Sequence, residues 1–122
     1  MDPYQASKKT EEICRLAPVI PVLVVHNPDI AKPLAEALIS GGLPVLEVTL
    51  RTESALEVIS EMAKVPGGVV GAGTITKARD VKDAINAGAN FAVSPGSTDN
   101  ILEACEQQNL PILPGAATSS EI

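Results

Sequence analysis

The feature that most limits what this chain can fold into is a repeated grammar. A short apolar run is followed by a turn of small or polar residues, then by an amphipathic segment that ends near Gly or Asn. That is how a βα unit reads in sequence. After an opening helical stretch around Ser7 to Leu16, strands are expected at Val19–Val25, Pro44–Leu50, Val69–Ile75, Phe91–Ser94 and Leu110–Leu113. Between them, inward helical stripes are expected at Ile30, Leu34 and Leu38, at Leu56, Ile59 and Ala63, at Val81, Ala84 and Ile85, and at Ile101, Leu102 and Cys105. Asn27-Pro28 supplies an N-cap residue and a Pro at the first helical position, while Gly41-Gly42 and Pro66-Gly67-Gly68 stop helices. Pro33 lies near enough to its helix start to distort the first turns without breaking the helix.

Strands recur about every 20 to 26 residues, the length of one strand, one helix and two short loops. Such alternation means parallel strands joined by right-handed crossovers. An open doubly wound sheet and a closed barrel both satisfy it. The small-residue pairs before strands, and the lack of a Gly-rich dinucleotide fingerprint after the first strand, favour an α/β fold of the parallel (β/α)8 TIM-barrel type. A complete barrel takes roughly 200 residues or more, so about five of the eight units fit here. Thr118-Ser119-Ser120-Glu121 has capping-box spacing and announces a further helix. The expectation is one domain over residues 1–122, the amino-terminal portion of a larger barrel, with an opening helix in 1–18 and five βα units in 19–122.

Hydrophobic residues make up 45% of the chain, with one Phe, one Tyr and no Trp, so Val, Ile, Leu and Ala must fill the core, as buried parallel strands favour. A net charge of −6 with scattered Lys and Arg offers no broad basic surface, which argues against nucleic acid and anionic membranes as partners. Val19–Val25, the longest apolar run, is interrupted by Pro21 and too short to span a bilayer, and a cytoplasmic protein is the expectation. Cys14 and Cys105 read as reduced, packed thiols on helices. One His and two distant Cys give no ligand spacing for a metal; His26 reads as a solvated loop residue with a lesser chance of touching a substrate.

Chemistry concentrates in Leu46-Glu47-Val48-Thr49-Leu50-Arg51, a strict alternation that places Leu46, Val48 and Leu50 on one face and Glu47, Thr49 and Arg51 on the other. In a barrel strand the second set faces the lumen, where a carboxylate and a guanidinium are costly unless paired or in contact with a ligand. A structural ion pair, or an edge strand with a wet face, is the plainer alternative. Against it, Arg51 falls at the carboxyl end of its strand, where barrel enzymes hold substrates, and Arg grips a carboxylate in bidentate fashion. Glu47, set deeper, is placed for a raised pKa and proton shuttling. Gly71-Ala72-Gly73-Thr74 ends the third strand; its glycines either admit a ligand or only make room for neighbouring side chains, and Thr74 offers a hydroxyl at the same rim. Ser94-Pro95-Gly96 and Pro114-Gly115 complete a rim of small, stiff residues.

In this order and spacing, LEVTLRT, VGAGTI, FAVSPG and ILPGAATSSE resemble the 2-keto-3-deoxy-6-phosphogluconate (KDPG) / 4-hydroxy-2-oxoglutarate (KHG) aldolases, from about Val19 to the end. The resemblance implies a (β/α)8 barrel, a homotrimer, and cleavage of the phosphorylated keto-deoxy sugar acid to pyruvate and glyceraldehyde 3-phosphate through a lysine Schiff base, with no metal or other cofactor. It further implies Glu47 as proton shuttle through water, Arg51 and Thr74 as holders of the pyruvate carboxylate, and Pro95 as a pocket wall. In that family the Schiff-base lysine lies on the sixth strand and the phosphate loops follow the seventh and eighth. Lys8, Lys9, Lys32, Lys64, Lys77 and Lys82 all read instead as helix or loop-surface residues, so the chain alone is expected to lack aldolase activity. Two other readings share the scaffold. One is a phosphosugar epimerase or another phosphate-binding barrel enzyme. The other is a non-catalytic part-barrel that is stable only as an oligomer covering its strand edge.

Overall fold

A computed structural model describes all 122 residues. Its elements are α1 (Pro3–Cys14), β1 (Val22–Leu23), α2 (Ala31–Ser40), β2 (Val45–Thr49), α3 (Ala55–Ala63), β3 (Val69–Gly73), α4 (Ala78–Ala87), β4 (Phe91–Ser94), α5 (Asp99–Gln107) and β5 (Ile112–Pro114). The strands form one sheet in the order β1-β2-β3-β4-β5, with every neighbouring pair parallel. Chain order and sheet order coincide, without the reversal that defines a doubly wound sheet.

The alternation in β2 sorts the sheet into two faces. Leu46 and Val48 lie in register with Val70 and Ala72, and Ala72 with Ala92, and all five belong to one core cluster with residues of α2 to α5. Successive helices pack against one another, α2 on α3, α3 on α4 and α4 on α5. The opposite face carries Val45, Glu47 and Thr49 of β2, opposite Val69, Gly71 and Gly73 of β3, with Phe91 of β4 opposite Gly71.

Local departures from the sequence reading have physical causes. β1 shrinks from seven expected residues to Val22–Leu23; at its amino-terminal side Pro21 has no amide to donate and contributes only its carbonyl, which accepts from the Glu47 N–H at 3.1 Å. The Asn27 side chain accepts from the Asp29 N–H at 3.0 Å and opens a 3-10 turn over Pro28–Ile30, from which α2 continues with Pro33 in its first turn. The stripe of α3 is displaced from the expected one: Ala55, Val58, Ile59 and Met62 are buried, while Leu56 and Ala63 face outward. Gly88 ends α4 in the left-handed conformation at φ 107°. The Thr118–Glu121 box forms as a 3-10 turn, in which the Glu121 carboxylate accepts from the Ala117 and Thr118 amides at 2.5 and 3.2 Å. Both cysteines are free thiols; Cys14 is exposed rather than packed, and burial pushes the Cys105 thiol up to about 11. No helix is long and apolar enough to cross a membrane.

Candidate active site

β2 is paired along both edges, and its residues are buried on both faces, including the two polar ones. Thr49 is satisfied locally, its hydroxyl donating to the Leu23 carbonyl of β1 at 3.2 Å. Glu47, only 8% exposed, has no hydrogen-bond donor from the chain, and its carboxylate rests directly on Gly73. A Cβ at Gly73 would collide with Oε1 of Glu47, and one at Gly71 would collide with the Phe91 ring. Of the two readings of those glycines, the structure favours the second, room for neighbouring side chains. The space they leave is filled from β2 and β4.

Desolvation holds the Glu47 carboxyl above its ordinary pKa, and the Arg51 charge pulls it partly back. Arg51 lies just past β2 in a turn, exposed, and none of the ion pairs in the structure engages it. The structural ion pair considered for Glu47 and Arg51 is therefore not formed. A guanidinium close enough to be felt by a buried carboxylate, yet uncommitted, is free to meet an anion.

Thr74 follows Gly73 and so adjoins the Glu47 carboxylate along the chain. It has φ 61°, a left-handed conformation that a β-branched residue adopts only when its surroundings impose it. Amides on either side fix it, Leu50 N–H donating to the Gly73 carbonyl at 2.9 Å and Ile75 N–H to that of Val93 at 3.1 Å. Pro95 is exposed at the end of β4. Its loop is braced by Ser94 donating to the Gly96 carbonyl at 2.8 Å, Gly115 N–H to the Ser94 carbonyl at 2.9 Å, and Ser97 to the Gly115 carbonyl at 2.6 Å.

Because all five strands run the same way, Arg51, Thr74 and Pro95 reach the same rim of the sheet from three adjacent strands, and Glu47 sits just within it. His26 lies on the rim beyond β1, exposed and without a side-chain hydrogen bond. Sequence reading missed Phe91, whose alternation within a four-residue strand was too short to assign a face, and the Ser94–Ser97–Gly115 brace, which joins loops 18 residues apart. A groove at the opposite end of the strands, against Lys9, Ile13, Val69, Asn90 and Pro111, includes no candidate site residue.

Comparison with known proteins shows which family the chain resembles. A family profile described as KDPG and KHG aldolase matches residues 10–122. The 2-dehydro-3-deoxy-phosphogluconate aldolase of Zymomonas mobilis is 50% identical over 112 residues, 92% of this chain and 54% of that protein. The KHG/KDPG aldolase of Escherichia coli is 46% identical over 113 residues, 92% of this chain and 53% of that protein. Among solved structures, the Zymomonas mobilis enzyme with 3-phosphoglycerate superposes with TM-score 0.91 at 49% identity, covering 94% of this chain and 55% of that one. The Legionella pneumophila enzyme, with pyruvate captured as a covalent carbinolamine, superposes with TM-score 0.85 at 43% identity, covering 89% and 53%. The chain thus spans about half the length of the relatives it matches. On the extent of the profile match, this chain belongs to the KDPG and KHG aldolase family.

Proposed function

We propose that this chain supplies the keto-acid-binding and proton-transfer part of a Schiff-base aldolase. In this reading it is the β1–β5 portion of a (β/α)8 barrel, and the whole protein, a cytoplasmic homotrimer, cleaves 2-keto-3-deoxy-6-phosphogluconate to pyruvate and glyceraldehyde 3-phosphate, or 4-hydroxy-2-oxoglutarate to pyruvate and glyoxylate. The observation that carries it is the buried Glu47 carboxylate resting on Gly73, with Arg51 and Thr74 at the adjoining strand ends.

Each group has work that suits its surroundings. Arg51 offers two parallel N–H donors to the carboxylate of the keto acid, and the Thr74 hydroxyl donates a third hydrogen bond. Aldol cleavage requires a proton to leave the hydroxyl on C4 and another to return to C3 once the C3–C4 bond has broken. Glu47, with its pKa raised by burial, is suited both to take a proton and to return it through water. Pro95 walls the pocket with a side chain that neither donates nor accepts. The electron sink is the missing part: the six lysines are all exposed on helices or loops, none on a strand. A lysine needs a desolvated setting to be a neutral nucleophile near neutral pH. In this reading the imine-forming lysine belongs to a segment outside residues 1–122, and the half-length coverage of the relatives supports it.

Borohydride reduction in the presence of pyruvate tests the assignment. The 122-residue chain is expected to gain no pyruvate-derived mass, whereas the whole protein gains one adduct per chain. A stable adduct on any of the six lysines of the isolated chain would overturn it.

A further inference from the structure

We propose that Phe91 is a positioning residue: its ring, seated on Gly71, keeps the Glu47 side chain from lying over its own in-register neighbour and holds the carboxylate on Gly73 at the rim. The registers make the case. Glu47 of β2 stands opposite Gly71 of β3, so the nearest open space for its side chain is the one above that glycine. Phe91 of β4 stands opposite the same glycine from the other side, and its ring occupies that space. The Glu47 carboxylate instead lies against Gly73, two residues on and about 6.6 Å closer to the carboxyl ends of the strands.

Three consequences follow from this single contact. The carboxylate is delivered beside Thr74 rather than left in the floor of the hollow. A flat apolar ring, 2% exposed although it is on the hollow face, forms that floor and shuts water out from below. Both strand glycines are then required, one for each side chain that crosses β3. The residues that flank Glu47 across the sheet are uncharged, Val22 of β1 and Gly71 of β3 in register with it, Gly73 against its carboxylate and Phe91 over Gly71, with Arg51 past the end of β2 as the one charge that acts on it.

The purpose assigned to this contact rests on Glu47 as proton shuttle, but its geometry can be tested without aldol chemistry. In the wild-type chain, NMR should show Glu47 side-chain protons close to the Gly73 α-protons and the Phe91 ring close to those of Gly71. Carboxyl-detected titration should move the Glu47 midpoint down toward the ordinary glutamate value in Phe91→Ala, with Phe91→Leu retaining most of the elevation. Glu47 protons found against Gly71, or a folded Phe91→Ala chain with an unchanged Glu47 midpoint, would overturn the proposal. If Phe91→Ala does not fold, the wild-type proximities and the Phe91→Leu titration decide. Pyruvate binding that fails while these proximities hold would count against the functional reading alone.

Discussion

The two faces of this sheet come from the same five strands and have almost nothing else in common. On the helix side, Leu46, Val48, Val70, Ala72 and Ala92 join helix residues in one continuous apolar core. On the opposite side, the same strands present a buried carboxylate, a bound hydroxyl, two glycines and a single aromatic ring. Period-two alternation lets one strand serve both ends, because a residue can be exchanged on one face with little effect on the other. The apolar core lies on the first face and the proposed chemistry on the second, with the rim residue Arg51 exposed and Thr74 only partly buried.

The most forceful way to break the comparison is to cut into the helix side. Leu46→Ala should lower unfolding free energy by about 3 kcal/mol in urea titration, through lost burial and the cavity left behind. Arg51→Ala should do the reverse: stability within about 0.5 kcal/mol of wild type, since the side chain is exposed and unpaired, and about tenfold weaker pyruvate binding by calorimetry from the loss of charge-assisted hydrogen bonds. Thr74→Gly should raise stability by about 1 kcal/mol by relieving the left-handed strain, while pyruvate affinity falls with the hydroxyl.

The smallest effect concerns pH. A carboxyl whose pKa is raised on folding gives its full stability below the unfolded value, and that contribution is lost as pH rises through the folded one. Wild type should therefore lose some stability across that window relative to Glu47→Gln, which cannot titrate. Glu61, lowered by its Lys64 hydrogen bond, acts in the opposite sense, but it is common to both proteins and cancels in the difference of their urea midpoints.

Much of this contrast was legible in the sequence because it is carried by periodicity. The six residues from Leu46 to Arg51 declare both faces, and the βα spacing fixes parallel strands, so Glu47, Arg51 and Thr74 could be placed near one rim before any coordinate. Signals that depend on one or two residues were weaker. Leu56 and Ala63 were assigned inward on α3, because a 3.6-residue stripe can be slid by one position without losing its apolar members. β1 was drawn too long, because its valines suit a strand but Pro21 cannot donate. The partnership of Phe91 with Gly71 was invisible, since it depends on the register between two strands 20 residues apart in sequence, which no local pattern encodes.

On the proposed function, the rim at the carboxyl ends of β2 to β4 receives a keto acid. Titrating the 15N-labelled chain with pyruvate tests it most directly. The signals of Gly73, Thr74 and the Arg51 side chain should shift and saturate together, with Val48 and Val58 on the helix side unmoved. Saturable shifts confined to other regions, or none at the rim at concentrations that saturate the family's whole enzymes, would contradict it.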